Sequence, residues 1–377
     1  MAQVRPSVKL ALLGALLLLL AHTYAQRQSP PVTADRQPAL GELAAVDAED
    51  HIRITRYEEA LTVRSLVAEY LWPIGGAVPT HAYPVVLMEG EGDLFFPSDL
   101  EGIAPRFVGM VTLLEYWMPG GALNLMYQLE PRKLRSSRLP VIVHQGHRPG
   151  LRDGIDEMTN ALLRKGHPVI LMQMPLVGWN RWSLSPGADC GSGWAASATG
   201  HDQMFARKDA LHSSPMSYFI EPVVAAVNHL TVNFAVEYVA MVGLSGGGWT
   251  THIVAAIDPR VSYSFPVAGS YPLYLRPYFR GSDGDAEQIV PALYENRATW
   301  LDLYLLSALE PGRTQHQILN LHDPCCFHGR GGEHYAHVVE ARLQIVGEGS
   351  WKWLLDSTHR QHMISPWARK HILRQLQ

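Results

Sequence analysis

The alternation of strand-type and helix-type segments constrains the fold of this chain more than any other feature. From about residue 106 onward, apolar runs such as PVIV and VEYVAMV are separated by helical patterns such as GIDEMTNALLRKGH and YFIEPVVAAVNHLT. Strands that alternate with helices need crossover connections, which produce a mostly parallel sheet covered on both faces. The sequence therefore predicts an α/β protein with a doubly wound sheet, in one domain over residues 106–377.

Composition excludes several functional classes. The 377 residues are 47% hydrophobic and 18% charged, which is typical of a globular protein with a full core. The net charge of -4 shows no basic surplus of the kind that binds nucleic acid or an anionic membrane surface. We therefore expect a small-molecule partner and no nucleic acid.

Residues 1–25 have the pattern of a secretory signal peptide. Arg5 and Lys9 precede the run LALLGALLLLLA, which closes at Thr23-Tyr24-Ala25 with a small residue at the cleavage point. The other interpretation is a membrane anchor, but the apolar run is shorter than the ~20 residues that span a bilayer. We expect cleavage, a secreted or periplasmic protein, and no stable membrane insertion.

Residues 26–105 are predicted to form an N-terminal extension that packs on the core. A polar, proline-containing lead-in is followed by ITRYEEALTVRSLVAEY, residues 54–70, whose apolar residues recur at helical spacing. The segment is expected to be a helix lying on the main domain.

Ser245 stands in the glycine-rich segment GLSGG, directly after VEYVAMV. This G-x-S-x-G pattern is typical of a nucleophile elbow, a tight strand-to-helix turn that presents the serine hydroxyl at its apex. Serine is also an ordinary residue of glycine-rich turns, so the pattern needs partners to support it. A catalytic serine requires a base within reach, and the base requires a carboxylate that orients it.

Asp323 is the predicted acid. It follows the apolar run QILNLH, and reactive groups gather at the carboxyl ends of parallel strands. An Asp-Pro pair is also a common turn starter. Asp356 is the rival acid, although it precedes the late histidines so closely that it would have to fold back on its own loop. With Asp323, the chain order is Ser, Asp, His, as the elbow pattern requires.

Two histidines after WKWLLD compete for the role of general base. His362 is favoured because it comes just before Ser365-Pro366, which has the pattern of an N-cap and first turn of the closing helix. His359 lies closer to the strand end and is the alternative base.

These motifs resemble those of the α/β-hydrolase superfamily. The likeness covers residues 106–377 and comprises GLSGG for the elbow, VIVHQGH for the oxyanion strand, NLHDP for the acid turn and HRQHMISPW for the histidine loop. The resemblance implies a sheet of about eight strands, acyl-transfer chemistry and no cofactor. Within the superfamily the chain is most similar to the secreted esterase-like and prolyl-oligopeptidase-like branch.

The oxyanion turn departs from the pattern of many relatives, which carry His-Gly directly after the third strand. Here Gln145 intervenes, giving His144-Gln145-Gly146-His147. Aligning Gly146 with the glycine of the family makes the backbone N–H of His147 one oxyanion donor. The N–H of Gly246, just after the nucleophile, is the other.

Neither the cysteines nor the late histidines predict a metal site. Three cysteines allow one disulfide, which pairs Cys190 with Cys325 or Cys326 or joins the adjacent pair. No second cysteine pair stands at zinc-ligand spacing, and no H-E-x-x-H motif is present. The histidines in question are His328, His334 and His337.

A long tryptophan-containing loop is predicted over residues 176–217, between two strand–helix units. Loops of this length in a compact domain are usually functional or disordered. Its aromatic residues either line an acyl or sugar pocket or pack the loop itself, and the sequence favours neither interpretation. They are Trp179, Trp182 and Trp194.

The predicted function is therefore a secreted serine hydrolase that cleaves carboxylic esters through a Ser-His-Asp triad and an acyl-enzyme. Its substrate would be a small-molecule ester, with acylated carbohydrates among the candidates. One alternative is a serine peptidase of the prolyl-oligopeptidase-like type. The other is a non-catalytic binding protein on the same fold, because fold does not determine function.

Overall fold

A computed structural model describes residues 46–118, 122–135, 137–180, 200–206, 214–279 and 281–377. The predicted signal peptide, Cys190, Trp182 and Trp194 lie outside the described residues. Within the described ranges, no helix is long and apolar enough to span a membrane.

The molecule is organised around a nine-stranded sheet with the strand order β1-β2-β3-β5-β4-β6-β7-β8-β9. The strands are β1 (Val85–Glu91), β2 (Val108–Met118), β3 (Ala122–Pro131), β4 (Val141–His144), β5 (Val169–Met172), β6 (Val239–Leu244), β7 (Val261–Val267), β8 (Thr314–Asn320) and β9 (Ser350–Asp356). The pairs β1–β2, β2–β3 and β3–β5 are antiparallel, and all others are parallel. The predicted mostly parallel sheet is confirmed, with nine strands where about eight were expected.

Helices cover both faces of this sheet. They are α1 (Tyr57–Leu71), α2 (Ile155–Lys165), α3 (His201–Ala206), α4 (Ser217–Asn233), α5 (Gly246–Ile257), α6 (Ala286–Ile289), α7 (Pro291–Tyr294), α8 (Trp300–Leu306), α9 (Gly332–Val346) and α10 (Pro366–Gln375). Short 3₁₀ turns lie at Ala48–His51, Ser98–Leu100, Pro105–Phe107, Gly178–Asn180 and Leu273–Tyr278. One hydrophobic core joins the sheet to α1, α4, α5, α8 and α9, and the other joins it to α2 and α10.

The central strands are short and almost entirely apolar because both of their faces are covered. Every residue of β4, β5 and β6 is buried. Parallel strands between two helical layers have no face towards solvent. Their sequences are therefore nearly continuous apolar runs rather than alternations of apolar and polar residues. This arrangement gathers the loops that follow β4, β6, β8 and β9 at one edge of the sheet.

The N-terminal segment packs on the helix that follows Ser245. The predicted helix is present as α1, and its Arg64 reaches α5 and α8. Arg64 donates from Nε to the carbonyl of Ala256 at 2.9 Å and from Nη2 to the carbonyl of Leu306 at 3.2 Å, and it forms an ion pair with Glu310. Strand β1 also precedes residue 106, so the sheet begins within the segment that the sequence assigned to an extension.

Candidate active site

Ser245 occupies a sharp turn between β6 and α5. Its backbone angles are φ 58° and ψ −121°, in a region that residues with a side chain rarely adopt. Its N–H donates to the carbonyl of Val267 at 2.9 Å, and its own carbonyl accepts from the N–H of Trp249 at 2.9 Å. These bonds fix a strained strand-to-helix turn of the kind that the GLSGG segment predicts.

Two glycines let the loop after β4 approach this turn. A Cβ added to Gly146 would lie 2.7 Å from the Cβ of Ser245, and one added to Gly246 would lie 2.6 Å from Cε1 of His147. Any side chain at either position would force these segments apart. Gly246 and His147, the two predicted oxyanion donors, are therefore close neighbours beside the serine.

His362 and Asp323 are brought together by the loops that follow β9 and β8. The Nδ1 of His362 lies 2.7 Å from Oδ2 of Asp323, and both residues are buried. A carboxylate only accepts hydrogen bonds, so Nδ1 donates and the neutral ring keeps its lone pair at Nε2. That tautomer is the one a general base needs.

Main-chain and amide donors orient the Asp323 carboxylate. Oδ1 accepts from the N–H groups of Cys325 at 2.8 Å and Cys326 at 3.3 Å, while Oδ2 accepts from Nδ2 of Asn320 at 3.1 Å. The same Asn320 amide group donates to the carbonyl of Met363 at 3.1 Å, so it links the acid loop to the histidine loop. The sequence analysis did not single out Asn320, although it ends β8, where functional residues gather.

His359 and Asp356 form a separate pair. Nε2 of His359 lies 3.4 Å from Oδ2 of Asp356. Asp356 also accepts from the hydroxyl of Ser365, the N-cap of α10, which in turn accepts from the N–H of Trp367. The structure thus places the favoured base with the predicted acid, and the alternative base with a carboxylate that secures the start of α10.

A cavity of about 390 Å³ contains both Ser245 and His362, within the size range of small-ligand pockets. Most of the other lining residues come from the loops around the sheet edge, with Leu244 from β6 and Gln288 from α6. They are Gln145, Gly146, His147, Arg148, Asp153, Leu244, Gly281, Asp283, Gly284, Asp285, Gln288, Cys325, Cys326 and Phe327. Asp323 itself is buried behind His362.

Carboxylates outnumber cations around this cavity. Asp153, Asp283 and Asp285 line it, whereas Arg148 is its one arginine or lysine among the described lining residues and already pairs with Asp153 at 3.2 Å. Like charges repel most strongly where water is excluded. The cavity therefore favours a neutral or polar ligand over an anionic one.

Behind His147 lies a buried carboxylate that the sequence analysis missed. Burial by itself would raise the pKa of Glu287, but hydrogen bonds and charge interactions with His147 and His201 outweigh it and lower the pKa to about 2. Glu287 therefore carries a negative charge at neutral pH. These three residues come from distant parts of the chain, so no spacing in the sequence points to them.

The structure establishes the pairing of two of the cysteines and the position of one of the tryptophans. Cys325 and Cys326 form a disulfide, which is the adjacent pairing among those that the sequence allowed. Trp179 packs edge-on against Tyr127 and donates from Nε1 to the carbonyl of Leu125, and it does not line the cavity of Ser245. Among the described residues, no group of three potential metal ligands includes one of the late histidines, which are His328, His334 and His337.

Comparison with known proteins identifies the fold. No protein-family model matches the chain, and no curated protein matches it by sequence. Its structure is similar to acetyl xylan esterase 1 from Thermoanaerobacterium sp. JW/SL YS485, at 14% identity and a TM-score of 0.53, over 90% of this chain and 98% of that one. It is also similar to a glucuronoyl esterase from Solibacter usitatus, at 9% identity and a TM-score of 0.52, over 84% of this chain and 90% of that one.

Both similarities extend over most of the chain. The chain has the α/β-hydrolase fold.

Proposed function

We propose that this protein is a serine hydrolase that cleaves carboxylic esters, with Ser245 as nucleophile, His362 as general base and Asp323 as the orienting acid. The observation that carries the proposal is the joint geometry of these groups. Ser245, at a strained nucleophile elbow, lines the same cavity as His362, and Nδ1 of His362 lies 2.7 Å from Oδ2 of the buried Asp323.

The chemistry follows from this arrangement. Nε2 of His362 accepts the proton of the Ser245 hydroxyl as Oγ attacks the acyl carbonyl, and Asp323 stabilises the imidazolium that forms. The imidazolium then protonates the departing alcohol, which leaves an acyl-enzyme. Water attacks the acyl-enzyme by the same route in reverse and releases the acid. The N–H groups of Gly246 and His147 hold the developing oxyanion in both halves of the reaction.

The substrate we propose is a neutral ester of a small molecule, with acylated carbohydrates as the first class to examine. The cavity volume suits a small ligand, and its carboxylates disfavour an anionic one. The two structural neighbours are named for acetyl xylan and glucuronoyl esters, which are carbohydrate esters. No cofactor takes part in the proposed reaction.

The test is ester hydrolysis by the purified mature chain and by Ser245→Ala. We expect turnover of p-nitrophenyl acetate by the wild type and a loss of at least about 10³-fold in the variant, because the acyl-enzyme cannot form. A fluorophosphonate probe should label the wild type only, and thermal unfolding should show both chains folded. A variant that keeps its activity would refute the assignment of Ser245. A folded wild type that neither reacts with the probe nor hydrolyses esters would favour the binding-protein alternative.

We further propose that the protein is exported and acts in the periplasm or outside the cell. The support is the charged start, apolar run and small-residue close of residues 1–25. N-terminal sequencing of the protein from the exported fraction should begin at Gln26. Recovery of the uncleaved chain from the cytoplasm would contradict export.

A further inference from the structure

Three side chains from distant segments converge on one point beside the loop that follows β4. They are His147 in that loop, His201 at the start of α3 and Glu287 in α6, and we refer to them as the His–Glu cluster. Oε1 of Glu287 lies 2.9 Å from Nε2 of His147 and 3.3 Å from Nδ1 of His201. Oδ2 of Asp285 lies 3.2 Å from the same nitrogen of His147.

The second contact of His201 restricts what its ring can do. Nε2 of His201 lies 2.8 Å from the carbonyl oxygen of Pro175, which only accepts, so Nε2 carries a hydrogen. In the neutral ring, Nδ1 then presents a lone pair to Oε1 of Glu287, which also offers only lone pairs. Either a proton on Nδ1, which turns the ring into a donor, or a metal cation between the two atoms removes this conflict. Histidine ligands of metals typically donate their other ring N–H to a backbone carbonyl in this way.

The burial of Glu287 supports the same conclusion. The side chain is fully buried, and Oε2 has no hydrogen-bond partner within the part of the chain that the structure describes. A charged carboxylate with an unsatisfied oxygen is costly away from water. A divalent ion at the cluster would offset that cost by neutralising the carboxylate.

The spacing of the atoms fits ligands around one small ion. Two ligand atoms that each lie about 2.0–2.1 Å from Zn²⁺ are roughly 3.0–3.4 Å apart at ordinary coordination angles. The separations of 2.9 and 3.3 Å, and of 3.2 Å to Asp285, lie close to that range, and the candidate ligand atoms of His147, His201 and Glu287 all lie within 4.8 Å of one another. Two imidazoles and a carboxylate favour Zn²⁺ over Mg²⁺ or Ca²⁺, which prefer oxygen ligands.

We propose that the His–Glu cluster binds one Zn²⁺ through Nε2 of His147, Nδ1 of His201 and Oε1 of Glu287, with Asp285 or water as the fourth ligand. The ion ties the loop after β4 to α3 and α6. Its role is structural, because Ser245, His362 and Asp323 complete the proposed reaction without it. Zinc binding can therefore be tested separately from the proposed ester hydrolysis, although the backbone N–H of His147 is also a proposed oxyanion donor.

The experiment measures zinc binding directly, in untagged protein stripped with EDTA and then titrated with Zn²⁺ by calorimetry. Metal content after gel filtration gives the stoichiometry. The test variant is His201→Gln, and the matched control is His337→Gln, an exposed histidine on α9. We expect one equivalent in the wild type and in the control, and an affinity at least about 10-fold weaker in His201→Gln.

Wild-type protein that retains no stoichiometric zinc, or His201→Gln protein that binds it as tightly as the wild type, would overturn the proposal. Circular dichroism establishes that each variant is folded. Should His201→Gln fail to fold, His147→Gln, at a partly exposed position, removes a different ligand and is expected to weaken zinc binding to the same degree.

Discussion

Single side chains decide which histidine is oriented as the proposed general base. Asp323 receives His362 on one oxygen and two backbone N–H groups on the other, so its carboxylate has little freedom to rotate. A carboxylate fixed in this way directs the imidazole ring, which is what a general base requires. His359 faces a carboxylate that also secures the start of α10, and it lies apart from the cavity of Ser245.

Replacing each histidine separately distinguishes the two candidates. We expect His362→Ala to lower kcat/KM for p-nitrophenyl acetate by at least about 10³-fold, because no other group accepts the serine proton. His359→Ala, the matched control on the same loop, should lose less than about 10-fold. Steady-state kinetics of both variants provides the measurement. A larger loss of kcat/KM in His359→Ala than in His362→Ala would assign the base to His359.

The residues of the proposed triad could be anticipated because each follows a recognisable apolar strand. Their chain order and their place at strand ends are properties of the sequence alone. Asn320 also ends a strand, β8, so the same rule could have included it. His201 and Glu287 could not be found in this way, because their contacts join segments separated by tens of residues or more and no local sequence pattern indicates which loops meet.

At the scale of elements, the loop after β8 is built around the Cys325–Cys326 disulfide. The N–H groups of both cysteines donate to Asp323, and both residues also line the cavity. Joining adjacent residues restricts the backbone that carries these donors. The disulfide thus helps to hold Asp323, the proposed acid, in place, and it also forms part of the cavity wall.

Removing this disulfide should reduce activity more than stability. We expect Cys325→Ser/Cys326→Ser to lower kcat by about 10- to 100-fold, since small misplacements of catalytic groups have effects of that size. Ser65→Ala, at an exposed position of α1, is the control and should keep wild-type activity. Kinetics and thermal unfolding provide the readouts. Intact-mass analysis after alkylation without reductant should show Cys325 and Cys326 protected, and free thiols at both would contradict the assignment.

The elements predicted with success are those with a strong local pattern, such as β6, α2 and α10. Strand β1 was not predicted. Its residues Val85 to Met88 are about half exposed, between 49% and 60%, so no alternation of buried and exposed positions marks it. The register of this strand comes from pairing with β2, which is tertiary information.

At the scale of the whole molecule, the two cores bury histidines in their neutral form. Burial lowers the pKa of His252 to about 3 and that of His316 to about 4. The unfolded chain binds protons at these residues below about pH 6.5, whereas the folded chain does not. The contribution of these neutral histidines to the free energy of unfolding is therefore fully present above pH 6.5 and falls as the pH drops towards 4.

The pH dependence of unfolding tests this account. We expect the free energy of unfolding of the wild type to fall between pH 6.5 and 4.5, with His252 contributing about 1 kcal/mol per pH unit. His252→Asn, whose amide can still donate to Gln315, should show a flatter slope. His337→Asn, at an exposed position, should match the wild type. Denaturant unfolding at several pH values gives the slopes, and equal slopes for all three chains would show that His252 does not contribute.

The docking of α1 on α5 and α8 has a consequence for biosynthesis. Arg64 meets Ala256, Leu306 and Glu310, which lie 192, 242 and 246 residues further along the chain. At a translation rate of about 5–20 residues per second, α1 leaves the ribosome at least ten seconds or so before its docking surface exists. Its amphipathic face is without its native cover throughout that interval. We therefore expect α1 to need protection by chaperones until α5 and α8 have been synthesised.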